Sequence, residues 1–139
     1  MATPNIVSVT SIYGGTAYLV TNATTANTAW TYNGTTALTG LTPPSLSVNK
    51  IENIVISNTQ SSAVTVSVGV ANNATYASAT VTAYLAYQIS VPPNASLVVT
   101  DKSTSFYLME NQSVAVIAGV STSGALTAIA SFETITGPA

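Results

Sequence analysis

The chain has 139 residues, no Cys, no His and no Arg, and only six charged side chains, two Lys and four Asp or Glu, for a net charge of −2. Without His or Cys, neither a Ser-His-Asp or Cys-His nucleophile nor the usual zinc ligand sets can be assembled, and two Lys make no basic face for nucleic-acid phosphates or an anionic membrane. The length suits a single domain, 1–139, that can bury a core without disulfides.

Residues 1–9 read as a short N-terminal arm. Pro4 disfavours helix at Thr3, and Ile6-Val7-Ser8-Val9 reads as a first short strand. Tyr13-Gly14-Gly15 reads as a turn, and Thr16 to Thr21 (TAYLVT) as a strand rich in β-formers. Asn22 to Asn27 is a polar loop. Thr28 to Tyr32 and Thr35 to Leu38 flank Asn33-Gly34, a strong hairpin signal because a type I′ turn needs positive φ at both central positions. Trp30 and Tyr32 share one face of their strand. They are either an exposed aromatic pair that binds a sugar or a partner or, as their size favours, packing in the core or at a sheet edge.

Thr39 to Pro44 (TGLTPP) reads as a long connection within a sandwich rather than a domain boundary. Ser45 to Ser57 carries a strong apolar segment: Val48, Ile51, Ile54, Val55 and Ile56. Its expected hairpin partner is Ala63 to Val70 (AVTVSVGV), across the loop Asn58 to Ser62 (NTQSS). Ala71 to Ala77 is another polar loop. Thr80 to Ser90 reads as a long strand, with Tyr84, Ala86, Gln88 and Ser90 on one face and Leu85, Tyr87, Ile89 and Val91 on the other. Pro92-Pro93-Asn94 stops it, since proline gives no N–H to a ladder and Asn tolerates turn conformations.

Leu97-Val98-Val99, Phe106-Tyr107-Leu108 and Val114 to Ala118 follow as short strands, separated by turns at Asp101-Lys102-Ser103 and Glu110-Asn111. Ser121 to Gly124 turns the chain into Ala125 to Ile135, where Leu126, Ala128, Ala130 and Phe132 share a face. No segment shows a helical period with caps. The expected fold is all-β: an antiparallel β-sandwich, jelly-roll or Ig-like, of roughly eight to ten short strands in two packed sheets.

Charged residues make up 4% of the chain, against roughly 25% in a typical domain. Mean hydropathy is +0.43, yet Ser, Thr and Asn interrupt every stretch, so no run of about 18 apolar residues predicts a membrane span. The N-terminus shows neither the basic nor the apolar region of a secretory signal. The polar surface is therefore built mainly from Thr, Ser, Asn and Gln, with little charge repulsion to keep copies apart. This favours a subunit packed among other subunits.

The order Ile54-Val55-Ile56-Ser57-Asn58, Val64 to Val68, Tyr87 to Pro92, Asn94 to Val99, Phe106 to Ser113 and Ala130 to Glu133 resembles small β-sandwich virion proteins of tailed bacteriophages, of the capsid decoration or cement type. The resemblance covers roughly residues 50–135 and departs from the family pattern at Glu110-Asn111-Gln112, where a Gly-Asp turn is usual. It implies a structural role on the outer capsid surface of a virion, for a protein made in the host cytoplasm. The implied partners are the major capsid protein and further copies of the chain, as a homotrimer. It carries no catalytic residues. The alternatives are a tail, neck or fibre component, or a host- or carbohydrate-binding module using Trp30, Tyr32 or Tyr76.

Ile6, Val7 and Val9 are candidate inter-subunit contacts, since a free strand can add to a neighbour's sheet edge; Trp30 and Tyr32 are the others. No catalytic, cofactor or metal residues are expected. Glu52, Asp101, Glu110 and Glu133 need not meet as a glycosidase pair, and no Asp-rich loop supports calcium. Turn capping accounts for Asp101 and Glu110. Lys50 with Glu52, and Lys102 with Asp101, are candidate ion pairs across a subunit contact. The Asn-X-Ser/Thr triplets at Asn22, Asn33, Asn73, Asn94 and Asn111 are expected by chance in a chain this rich in these residues.

Overall fold

The computed structural model of the protein describes residues 8–21, 29–32, 36–72, 81–120, 122 and 124–138. Ten strands are present among them: β1 (Ser11–Val20), β2 (Ala29–Tyr32), β3 (Thr36–Thr39), β4 (Ser47–Asn58), β5 (Val64–Ala71), β6 (Val81–Val91), β7 (Ser96–Thr100), β8 (Phe106–Leu108), β9 (Ser113–Ala118) and β10 (Leu126–Thr136). They form an antiparallel sandwich. Sheet A has the order β3-β2-β1-β10-β4-β7, with β8 also pairing β4; sheet B has the order β6-β5-β9.

The long strands β10 and β4 form the centre of sheet A, paired from Leu126↔Asn58 to Thr136↔Ser47. The expected face of Leu126, Ala128, Ala130 and Phe132 is the inner one, and all four are buried. They meet Ile51, Ile54 and Ile56 of β4 and, from sheet B, Val64, Val66, Val68, Val114 and Val116. Ile51 and Ile54 lie three apart, which strict alternation would put on opposite faces. A bulge between Ile51 and Asn53 adds one residue to β4, so both point inward.

Four expectations are corrected. Ser45 to Ser57 and Ala63 to Val70 do not form a hairpin: β4 lies in sheet A and β5 in sheet B. Residues 59–63 cross between the sheets, and Asn58 holds that corner. Its buried Nδ2 donates to the carbonyls of Ser62 (2.9 Å), Val91 (2.9 Å) and Pro92 (3.3 Å), and its Oδ1 accepts from the Gln60 N–H. A run buried on its inner face is attracted to the core equally well from the same sheet or the facing one.

Tyr13-Gly14-Gly15 is not a turn but part of β1. Gly15 pairs with Phe132 across the ladder, and a Cβ there would lie 2.6 Å from Tyr32 Cε1 and 2.9 Å from Phe132 Cζ. The glycine makes room for two rings instead of a bend.

The faces expected for the long strand β6 do not hold. Eleven residues of β6 oppose eight of β5, with register shifts at three places. The extra residues reset the alternation, and the rings of Tyr84 and Tyr87 lie 4.7 Å apart, edge to face. Gln88 takes φ +50° at one of these bulges, where its N–H donates to Ser67 Oγ.

Ser8 and Val9 lie outside any strand. The ladder starts only after Thr10, whose N–H and hydroxyl both donate to the Thr136 carbonyl. Ile6, Val7, Asn22 to Asn27, Asn33-Gly34 and Tyr76 lie outside the described residues. The strands beside Asn33-Gly34 do pair, from Tyr32↔Thr36 to Ala29↔Thr39.

Candidate functional site

Of the residues expected at an interface, Val9 is exposed and Trp30 is not. Trp30 is 1% exposed, and its Nε1 donates to the Val114 carbonyl at 3.0 Å. It fills the core and leaves no aromatic face for a sugar or a neighbour. Tyr32 is half-buried with its ring 5.5 Å from that of Phe132, tilted by 58°. The two residues share a face of β2, as alternation requires, yet only Tyr32 reaches solvent.

Tyr32 lines a half-open cleft of about 250 Å³ with Tyr13, Pro44, Asn49, Phe132 and Thr134. It opens beside the Gly15 position, where the inner face of sheet A carries rings. Its polar floor is self-satisfied: Thr134 Oγ1 donates to Asn49 Oδ1 at 2.6 Å and Asn49 Nδ2 to the Leu41 carbonyl at 2.7 Å. No charged side chain lines it. It is slightly smaller than a typical small-molecule site.

The outer face of sheet A is the larger surface. The registers place side chains in rows across the strands. One row is Tyr18 on β1, Ile129 on β10, Val55 on β4 and Val98 on β7. Tyr18, Ile129 and Val98 are exposed, Ile129 by 50%. Each faces outward because its sequence neighbours point into the core, as Ala128 and Ala130 do beside Ile129. On the side toward the start of β10 lie Thr127, Ser57 and Ser96, with Ser57 Oγ and Ser96 Oγ 2.9 Å apart.

Further along the same face, Gly14, Glu133, Lys50 and Tyr107 form another row. Lys50 Nζ lies 3.3 Å from Glu52 Oε1. That hydrogen bond and charge raise the Lys50 pKa above the ordinary value for lysine, helped by Tyr107 and Glu133. Half of the charged residues in the chain thus gather at one end of one face. A Cβ on Gly14 would meet nothing within 4 Å, so the face has a hollow there.

The remaining carboxylates act locally. Asp101 caps a 3-10 turn, Lys102–Thr104, that interrupts the edge formed by β7 and β8 along β4. It accepts from Ser103 Oγ (2.6 Å) and the Ser103 N–H (3.0 Å), and these bonds hold its pKa below the usual carboxylate value. Glu110 accepts from the Leu46 N–H. Among the described residues no group of three metal-ligating side chains converges. The edge strand β6 adds a second apolar surface, exposing Tyr84, Leu85, Tyr87 and Ile89.

The sequence reading missed both surfaces of sheet A. The cleft needs Tyr13 and Phe132, 119 positions apart, and the rows need the register of four strands. The one local signal was Gly14-Gly15 inside a β-rich run, which marks close approach as well as a turn. The chain matches no family model, no curated protein and no solved structure. Its function is therefore argued from these surfaces.

Proposed function

We propose that the chain is a structural virion subunit that decorates and stabilises a phage capsid by bridging neighbouring major capsid protein subunits. The observation that supports this reading is the surface itself. Among the described residues, Tyr, Ile, Leu and Val side chains stand exposed on the outer face of sheet A and along β6, in a chain with only six charged residues. Exposed apolar area on that scale favours burial against other polypeptides. At roughly 25 cal/mol per Å² before association costs, many symmetric copies would add cumulatively to a shell's stability. The test is co-sedimentation of the purified chain with expanded heads that lack it. Saturable binding at a fixed ratio to the major capsid protein supports the reading. Binding to tails, necks or fibres but not to heads moves the chain to that part of the virion, and binding to neither removes it from the virion.

A second reading is favoured by the cleft. Tyr13 and Tyr32 offer aromatic faces and neutral surroundings suited to an uncharged sugar of a host glycan. Glycan binding lost on Tyr13→Ala with the fold intact would support it; a silent glycan array would count against it. Trp30→Ala is no test, because that side chain belongs to the core.

A further inference from the structure

The geometry points to a second copy of this chain as the occupant of the outer face of sheet A, packed face to face about a twofold axis that runs nearly along the strands between β10 and β4. This rests on the reading of the chain as an assembly subunit and names the surface it uses for itself. The proposed axis lies in the plane between the two copies' facing sheets and reverses each cross-strand row onto its own copy.

The apolar row reads Tyr18, Ile129, Val55, Val98 from β1 to β7. Reversed, it sets Ile129 on the other copy's Val55 and Tyr18 on the other copy's Val98, so every member meets an apolar partner. The charged row reads Gly14, Glu133, Lys50, Tyr107. Reversed, it sets Glu133 on the other copy's Lys50, twice by symmetry. It also drops each Tyr107 ring over the open space at the other copy's Gly14. Opposite charge meets opposite charge and the bulky side chain meets the hollow, both about the axis that joins the apolar rows. Lys50 has three donors, enough to keep its own Glu52 while reaching the second copy's Glu133.

An axis along the rows would instead turn the charged end of one copy against the other end of the face, where Thr127 and Ser57 stand. It offers Glu133 and Lys50 no opposite charge on the other copy. The area is of the size an interface needs. Four strand positions at ~4.8 Å, the last shared by β7 and β8, and the eleven residues of β10 at ~3.4 Å span about 700 Å², within the range of about 600–1,000 Å² per partner of a standard interface. Twisted sheets stacked in this way cross at about 30°, within what an axis slightly oblique to the strands allows.

The test uses the full chain without capsids and two single variants, Ile129→Lys and Val55→Glu. Both positions face outward, so the fold is retained. Wild type is expected to sediment as a dimer, and each variant alone to associate at least about tenfold more weakly, since each would bury an unpaired charge against an apolar side chain. Mixing the two variants is expected to restore a heterodimer. Only there does the introduced ammonium of one copy meet the introduced carboxylate of the other, while Ile129 meets Val55 at the symmetric contact. A wild-type monomer at all concentrations, a trimer mass, or a mixture that associates no better than its components would overturn the proposal. Capsid binding is read separately, so a dimer that ignores heads would sink the capsid-decoration reading and leave this contact standing.

Discussion

The indole Nε1 of Trp30 donates to the carbonyl oxygen of Val114 at 3.0 Å, and this bond ties sheet A to the edge of sheet B. The Val114 N–H donates in turn to the Gly40 carbonyl at 2.7 Å. Both polar groups of an edge residue that faces away from its own sheet are thus satisfied, one by β2 of sheet A and the other by the turn that follows β3. An unpaired edge that would invite a foreign strand is closed on that side.

Replacing Trp30 separates packing from hydrogen bonding. Trp30→Phe keeps most of the apolar volume but leaves the buried Val114 carbonyl without its donor, at a cost of about 1–3 kcal/mol. Trp30→Ala adds a cavity and is expected to cost about 3–5 kcal/mol. Urea denaturation should show the midpoint falling in that order. Equal loss in both variants would mean that the bond contributes little.

The strand content was legible because alternation is a local property. Leu126, Ala128, Ala130 and Phe132 declared their face without help from the rest of the chain, whereas Trp30 read as core, sheet edge or inter-subunit contact, and only the structure places it in the core. Pairing was not legible. Val64, Val66 and Val68 alternate identically whether β5 lies beside β4 or across from it, and only the Asn58 corner, with acceptors near 62 and 91, decides the matter. Bulges hid the rest. The extra residues in β6 brought Tyr84 and Tyr87 together from faces that strict alternation keeps apart. The interaction rows depend on four registers at once, and nothing within a short window of sequence encodes them.

Gly15→Ala tests the aromatic cleft. The added Cβ would stand 2.6 Å from Tyr32 and 2.9 Å from Phe132, so the rings must move. Overpacking of this kind costs about 1–2 kcal/mol. The near-ultraviolet circular dichroism of the tyrosines is expected to change with it. Gly14→Ala, one residue away with open space around it within the chain, serves as the control and, at a dilution that keeps the chain monomeric, should leave both stability and spectrum near wild type. If the two variants behave alike, the rings are not packed on Gly15.

Asn58→Ala tests the crossing between sheets. It removes the donors that serve the Ser62, Val91 and Pro92 carbonyls in a residue that is 2% exposed. A loss of about 2–3 kcal/mol is expected from carbonyls left without partners. Asn58→Asp is expected to be worse at neutral pH, because an ionised carboxylate would face three carbonyl oxygens. Burial among acceptors raises the folded-state pKa of that Asp. Its penalty should therefore deepen as pH rises past the ordinary carboxylate range and ease as pH falls. Chemical denaturation of both variants at two pH values reads this directly.

Asp101 gives the pH dependence of the native chain. The Ser103 hydroxyl and N–H, followed by Thr104, hold its folded pKa below the ordinary carboxylate value. A depressed folded pKa means that the ionised form is favoured by folding. Its contribution is fully present above the unfolded pKa of about 4 and is lost as pH falls through the lower folded value. Asp101→Ala removes the cap and should lower the thermal midpoint at neutral pH. The gap between variant and wild type should then narrow between about pH 5 and pH 2 as the wild-type carboxylate is protonated. Asp101→Asn keeps an oxygen acceptor for the turn but cannot titrate, so it should fall less far at neutral pH and show a weaker acid dependence than wild type. A gap that stays constant on acidification would mean that the carboxylate's charge plays no part in holding the turn between β7 and β8.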